Sequence, residues 1–284
     1  SFDFANTSLG DEGEESLLLP DRWVAFTLDP DLPGLFGAFY ARTAPGPGST
    51  ACLRCLTQLA GVRRSVFPSS EAQGAWIRSL LQEAIAVLQN ETWRQSSNNC
   101  LQTCQMLGRL RKAFPLPMLT ASERYKEWVH LTADFTGRCF GSQPVAASGH
   151  QFLLLKFWSG LTLSQFHFKG LLDSGMEAYA PGLVRAFIQT RLELAAADPQ
   201  ALAEGLQEQD TLMGLLEPLA VLVRSAHDQV CPWLQATALG LQRQWCAAVQ
   251  AGSAGRPLAV LDAQLAWLAY VIGSVLGHTP LQSP

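Results

Sequence analysis

Apolar residues recur along this chain at helical spacing, and almost no segment carries the alternation that a strand requires. Trp76, Leu80, Leu81, Ala84 and Leu88 advance by four, one, three and four positions, which places them on one helix face. Trp128, Leu131, Phe135 and Cys139 form a second such stripe, and Leu212, Leu215, Leu216, Leu219, Leu222 and Val223 a third. No β-branched run alternates with polar residues, and no Asn-Gly or Asp-Gly pair marks a hairpin. The pattern predicts about ten helices of roughly 12 to 22 residues. Short connections make successive helices pack antiparallel, and a row of such pairs builds an α-solenoid. The predicted fold is therefore all-α, with HEAT-like repeats whose sequence period is too weak to see directly.

Punctuation divides this pattern. Residues 5–20 carry Asp11, Glu12, Glu14 and Glu15 between Gly10 and Pro20 and read as an acidic loop. Residues 43–49, around Ala44-Pro45-Gly46-Pro47-Gly48, read as a Gly/Pro-rich loop that cannot be helical. Weaker breaks fall at 114–117, 141–149, 170–175 and 251–257. Ser69 and Ser70 before Glu71 offer a helix N-cap, and so does Thr120 with Glu123 three residues on. Residues 1–284 are expected to form one helical-repeat segment, incomplete at both ends. Hydrophobic residues make up 48% and charged residues 15%, so more apolar surface is present than one isolated array covers. The chain is expected to be an interior piece of a longer protein, with sticky repeat ends.

The same composition removes several classes of function. Disorder needs the opposite balance of charge and hydrophobicity. A net charge of −4 argues against nucleic acid, which rewards a dense basic face. The basic groups Arg63-Arg64 and Arg109, Arg111-Lys112 read as solvated helix ends, where cations complement the dipole. Seven cysteines at irregular spacing are not a disulfide framework, and Cys52-x-x-Cys55 lacks the second pair that zinc needs, so both read as core residues. Residues 258–276 are nearly long enough to span a bilayer, yet they contain Asp262 and Gln264; the segment reads as a buried helix, without membrane insertion.

Catalytic patterns are missing. The five histidines lie far apart, and none stands in an H-E-x-x-H arrangement. No glycine-rich phosphate loop and no G-x-S-x-G elbow occurs. The chain reads as a non-enzyme with no cofactor and no metal, working by protein binding; an all-α enzyme would need a convergent polar pocket.

Several motifs are more specific. Ser1-Phe2-Asp3-Phe4, the acidic stretch leading to Pro20 and Trp23, Leu35-Phe36 with Phe39-Tyr40, and Leu59 through Phe67 occur in that order. Asp134-Phe135-Thr136, Leu153 through Trp158, Tyr179-Ala180-Pro181, Arg191-Leu192-Glu193 and Leu265 through Gly273 follow. Together they resemble the exportin-7 and Ran-binding group of importin-β-like nuclear transport receptors. The sequence departs from that pattern at Pro45 to Gly48, across 142–176 and after Gly277.

The resemblance implies a receptor of stacked helical pairs that shuttles between nucleus and cytoplasm, with this segment inside its amino-terminal half. Protein cargo, Ran-GTP and nuclear pore proteins are the partners it implies. A helical-repeat scaffold without Ran-dependent transport is the alternative. Arg63 and Arg64 form the one polar element inside a strong match, which makes them the candidate partner contact; a capping or inter-repeat role is the other reading of that pair.

Overall fold

The computed structural model describes residues 21–141, 148–168 and 175–277. The acidic loop at 5–20 lies outside them, as do most of the breaks near 141–149 and 170–175. Thirteen α-helices and no strand occur among the described residues. The all-α prediction holds. The count exceeds ten because three short helices of five to seven residues, at Asp21–Thr27, Leu116–Thr120 and Pro199–Gly205, fall below the 12 to 22 residues expected of a helix here.

The chain divides into two compact units. The first is Ser1–Thr132 with Ser148–Leu153, and the second is Ala133–Ala147 with Leu154–Pro284.

The described helices of the first unit are α1 (Asp21–Thr27), α2 (Leu32–Thr43), α3 (Pro47–Ala60), α4 (Ser70–Asn90), α5 (Ser97–Ala113), α6 (Leu116–Thr120) and the start of α7 (Tyr125–Gly141). The Gly/Pro loop is shorter than expected: only 44–46 separate α2 from α3, and Pro47 and Gly48 are helical. Pro47 opens α3, where the missing N–H would have had no intrahelical partner anyway. Ser69 caps α4 by accepting from Ala72 N at 3.1 Å, as its sequence predicts. Thr120 does not cap a helix. It ends α6 and donates Oγ1 to Leu116 O at 3.0 Å.

The three-residue turn makes α2 and α3 an antiparallel pair. The next pair, α4 and α5, lies on it with each helix parallel to its counterpart. Ser79 on α4 donates to Pro30 O just before α2 at 2.7 Å, and Thr92 just after α4 shares a 2.7 Å hydrogen bond with Tyr40 near the end of α2. On the other side, Thr50 donates to Asn99 Oδ1 at 2.6 Å and Arg109 to Gln58 Oε1 at 2.8 Å. Residue numbers rise together along both helices, at separations of 49 to 52. This offset is the spacing between these two pairs. The core between the pairs holds Leu53, Leu56, Trp76, Leu80, Leu81, Leu107 and Leu110, each at most 2% exposed.

The second unit contains the end of α7, α8 (Ser148–His167) from Leu154 onward, α9 (Met176–Ala197), α10 (Pro199–Gly205), α11 (Gln209–Ser225), α12 (His227–Gln250) and α13 (Arg256–Gly277). Trp158 on α8 donates Nε1 to Thr136 on α7 at 2.9 Å. Phe140, Phe187 and Trp267 join α7, α9 and α13, with ring centroids 5.1 and 6.1 Å apart. Arg256 donates to Ala197 O and Gln264 to Leu192 O, so α13 runs antiparallel to α9. Trp245 Nε1 donates to Asp262 Oδ1 at 2.7 Å, closing α12 onto α13. The three leucine-rich helices α9, α11 and α12 each carry an interior proline.

The apolar segment 258–276 is not a buried helix as expected. It forms most of α13, and only Ala263, Trp267, Leu268 and Val271 are buried. Its length and composition suffice to cross a membrane. Asp262 and Gln264 within it are both engaged: Asp262 holds α12 and Gln264 holds α9.

Candidate functional site

No group of three His, Cys, Asp or Glu side chains able to hold a metal gathers among the described residues. Cys52 and Cys55 are not core residues in the full sense expected of them. They are half-buried thiols on the flank of α3, beside the buried Leu53 and Leu56. Burial, and then the neighbouring Cys52 sulfur, push the Cys55 thiol above its ordinary pKa. His130 and His167 are exposed, His150 is half-buried at the start of α8, and His227 lies 3.2 Å from Asp228 at the exposed start of α12. These groups do not converge on one another in sequence or along shared elements.

The sequence candidates Arg63 and Arg64 lie in the α3–α4 connection. Gly61 ends α3, its N–H turned back to Gln58 O and Leu59 O, and Val62 is buried. Arg63 follows in extended conformation, and Arg64 opens a single 3-10 turn, Arg64–Val66. Both arginines are exposed.

Parallel stacking of α3 and α5 adds what the sequence treated separately. The two helices end at the same side, and a Cβ at Gly61 would stand 3.6 Å from Arg109 Cδ. Arg63, two residues beyond Gly61, is within about 7 Å of it along the chain. Arg111 and Lys112 complete the last turn of α5. Five basic residues from two distant stretches thus share one end of the α3/α5 pair, where their charge complements both helix C-termini. Arg109 is braced by Gln58. Asp29 and Asp31 stand at the start of α2, on the neighbouring corner, because α2 runs against α3. The signal for this grouping was hidden in the 49 to 52 residue offset, which only the contacts between α3 and α5 reveal.

Outside this basic end, the exposed large apolar side chains fall into two groups. Trp23, Phe26, Leu35 and Phe39 stand on α1 and α2, and Met213, Leu239, Val249, Tyr270 and Leu276 on α11, α12 and α13; Leu163 and Phe166 on α8 stand apart from both.

Comparison with known proteins shows what the chain is similar to. No protein-family model matches the chain, and no solved structure matches it. Among curated proteins, exportin-7-A of Xenopus laevis is 28% identical over 281 residues, covering 98% of this chain and 26% of that protein. Ran-binding protein 17 of Homo sapiens is 26% identical over 281 residues, with the same coverage. Exportin-7 of Dictyostelium discoideum is 26% identical over 288 residues, covering all of this chain and 27% of its own length. The chain spans about a quarter of the length of the curated relatives it matches. Along nearly all of its length it is similar in sequence to proteins named exportin-7 and Ran-binding protein 17.

Proposed function

We propose that this chain is part of a nuclear export receptor that binds protein cargo and Ran-GTP and moves between nucleus and cytoplasm through contacts with nuclear pore proteins. The observation that carries this reading is the collinear similarity over 98% of the chain to proteins named exportin-7 and Ran-binding protein 17. The stacked pairs α2/α3 and α4/α5 support it, because a helical array presents long surfaces to protein partners. No catalytic step is required. Small changes per pair sum into a change of curvature, which couples one partner's site to another's.

Within the described residues, the partner contact is assigned to the basic end of α3 and α5, centred on Arg63 and Arg64. Exposed arginines recognise carboxylates through paired hydrogen bonds, and such contacts steer association more than they fix affinity. An acidic protein surface is the matching partner. The net charge of −4 and the small size of the cluster disfavour nucleic acid.

The test is capture of Ran, loaded with GTP or GDP, by the full-length product of this gene and by this segment. The receptor reading requires GTP-dependent capture by the full-length protein. Capture of protein partners without any Ran dependence would instead support the scaffold alternative. Arg63→Glu with Arg64→Glu in the full-length protein should weaken partner capture by about tenfold at physiological salt, with a smaller difference at high salt.

A further inference from the structure

Residues 61–69 join α3 to α4 at the basic end. The connection is pinned at two points. Val62 is fully buried, and the Phe67 ring lies against Trp76 on α4 at a centroid distance of 6.1 Å. Between these anchors Arg63, Arg64 and Ser65 are all exposed. Stacked pairs cover one another along their helix flanks. This segment lies at helix ends instead, so further pairs stacked on either side of α2–α5 leave it at the edge of the row.

Four Ser or Thr residues directly follow an arginine in this chain. Thr43, Ser79 and Ser225 all lie in α-helices. Each donates its hydroxyl to a backbone carbonyl, that of Phe39, Pro30 and Leu222 at 2.8, 2.7 and 2.8 Å. Ser65 differs on both counts. It stands in the single 3-10 turn Arg64–Val66, and its hydroxyl makes no hydrogen bond among the described residues. Backbone alone closes the turn, Val66 N to Arg63 O and Phe67 N to Arg64 O, both at 3.3 Å. A group added to Ser65 Oγ therefore breaks no contact.

We infer that Ser65 is the acceptor of an arginine-directed serine kinase, and that its phosphate turns off the acidic-partner contact of Arg63 and Arg64. The second half rests on the basic end being a partner contact. In the transfer, the γ-phosphoryl group of ATP passes to Ser65 Oγ. Its bond to the β–γ bridging oxygen breaks, ADP leaves with that electron pair, and the hydroxyl proton goes to the kinase's base. The product carries a charge of about −1.5 to −2 at pH 7 and three strong acceptor oxygens. Arg64 is adjacent in the chain and Arg63 is next, so the phosphate takes the guanidinium donors that would otherwise hold a partner's carboxylates. The positive charge of the pair is about cancelled. Reversing both arginines to glutamate changes the local charge about twice as far, so phosphorylation should cost about threefold in capture where that reversal costs about tenfold.

Incubation of the full-length product of this gene with ATP and either cyclic-AMP-dependent protein kinase or protein kinase C tests the site, read by mass spectrometry of its peptides. The expected result is one phosphoryl group on the peptide containing Ser65, lost in Ser65→Ala and restored in Ser65→Thr. A peptide left unmodified by both kinases overturns the site, and so does a modification of that peptide that survives Ser65→Ala. Capture of an oligo-glutamate peptide before and after the reaction tests the switch. The expected loss is about threefold at physiological salt, absent in Ser65→Ala, with unchanged far-ultraviolet circular dichroism. The two failures are separable. If Arg63→Glu with Arg64→Glu leaves capture unchanged, the basic end is not a partner contact and the switch falls with it. If that variant loses capture while the phosphorylated protein does not, the contact stands and the switch alone is overturned.

Discussion

Asn99 on α5 donates its side-chain Nδ2 to Ser49 Oγ at the start of α3 across 2.8 Å, with no solvent exposure at either residue. Its Oδ1 accepts from Thr50, and Ser49 passes its own hydroxyl hydrogen to Gly46 O at 2.6 Å. One amide thus satisfies two hydroxyls of the neighbouring pair. Asn99→Leu should destabilise the protein by about 2–4 kcal/mol, because buried polar partners are left without their bonds. Thr50→Val, which removes a single partner at the edge of the network, should cost about 1 kcal/mol. Urea denaturation separates the two by midpoint at similar slope.

Glu83 on α4 faces Gly37 on α2, and burial raises its carboxyl pKa above the ordinary 4.5. The folded chain therefore holds this proton more tightly than the unfolded chain. Stability should increase as pH falls through the raised folded value towards 4.5, and level off below it. Glu83→Gln should remove that dependence and raise the melting temperature at pH 7 but not at pH 3.5. Melting curves across this window decide the sign.

At Gly37 an added Cβ would run into the Glu83 carboxylate. Gly37→Ala should cost about 1–3 kcal/mol by forcing that side chain aside. With Glu83→Ala already in place the same change should cost far less. A double-mutant cycle by denaturation measures the coupling.

Trp267 and Tyr270 lie three residues apart on α13 with opposite fates. Trp267 is 1% exposed and meets Phe187 edge-on, while Tyr270 is 46% exposed. Trp267→Ala should cost about 3–5 kcal/mol, and Tyr270→Ala should stay within about 0.5 kcal/mol when the chain is monomeric. Thermal unfolding of dilute protein compares them.

Ser69→Ala should cost about 1 kcal/mol, since it leaves the Ala72 N–H uncapped at the start of α4. Ser69 was legible because a serine, a glutamate and an apolar stripe stand in line, and local sequence settles a cap. Thr120 carried a similar signature. There Pro115 and Pro117 start a short helix first, and Thr120 becomes its last residue. The helix stripes at Trp76 and Leu212 were readable for a comparable reason: burial on one face leaves a 3.6-residue trace.

What the sequence hid is set by pairs of residues far apart in it. The parallel offset between α3 and α5 is held by Thr50 with Asn99 and Gln58 with Arg109, ordinary polar residues with no shared motif. The grouping of Arg63 and Arg64 with Arg109, Arg111 and Lys112 was invisible for that reason. The half-open state of α13 was hidden too. An apolar helix reads the same whether one side or every side is covered, and Cys52 and Cys55 share that ambiguity on the flank of α3.

The offset between the α2/α3 and α4/α5 pairs sets how this part of the chain can change in length. An insertion of three or four residues in the middle of α3 would slide Gln58 past Arg109 and misalign every rung beyond it. The same residues added to the 44–46 turn would leave both ladders in register. A whole additional pair would close a loop no longer than those already present, so its entropic cost would match that of its neighbours. Length variation among such chains should therefore come in two sizes, a few residues at turns or about fifty at a time.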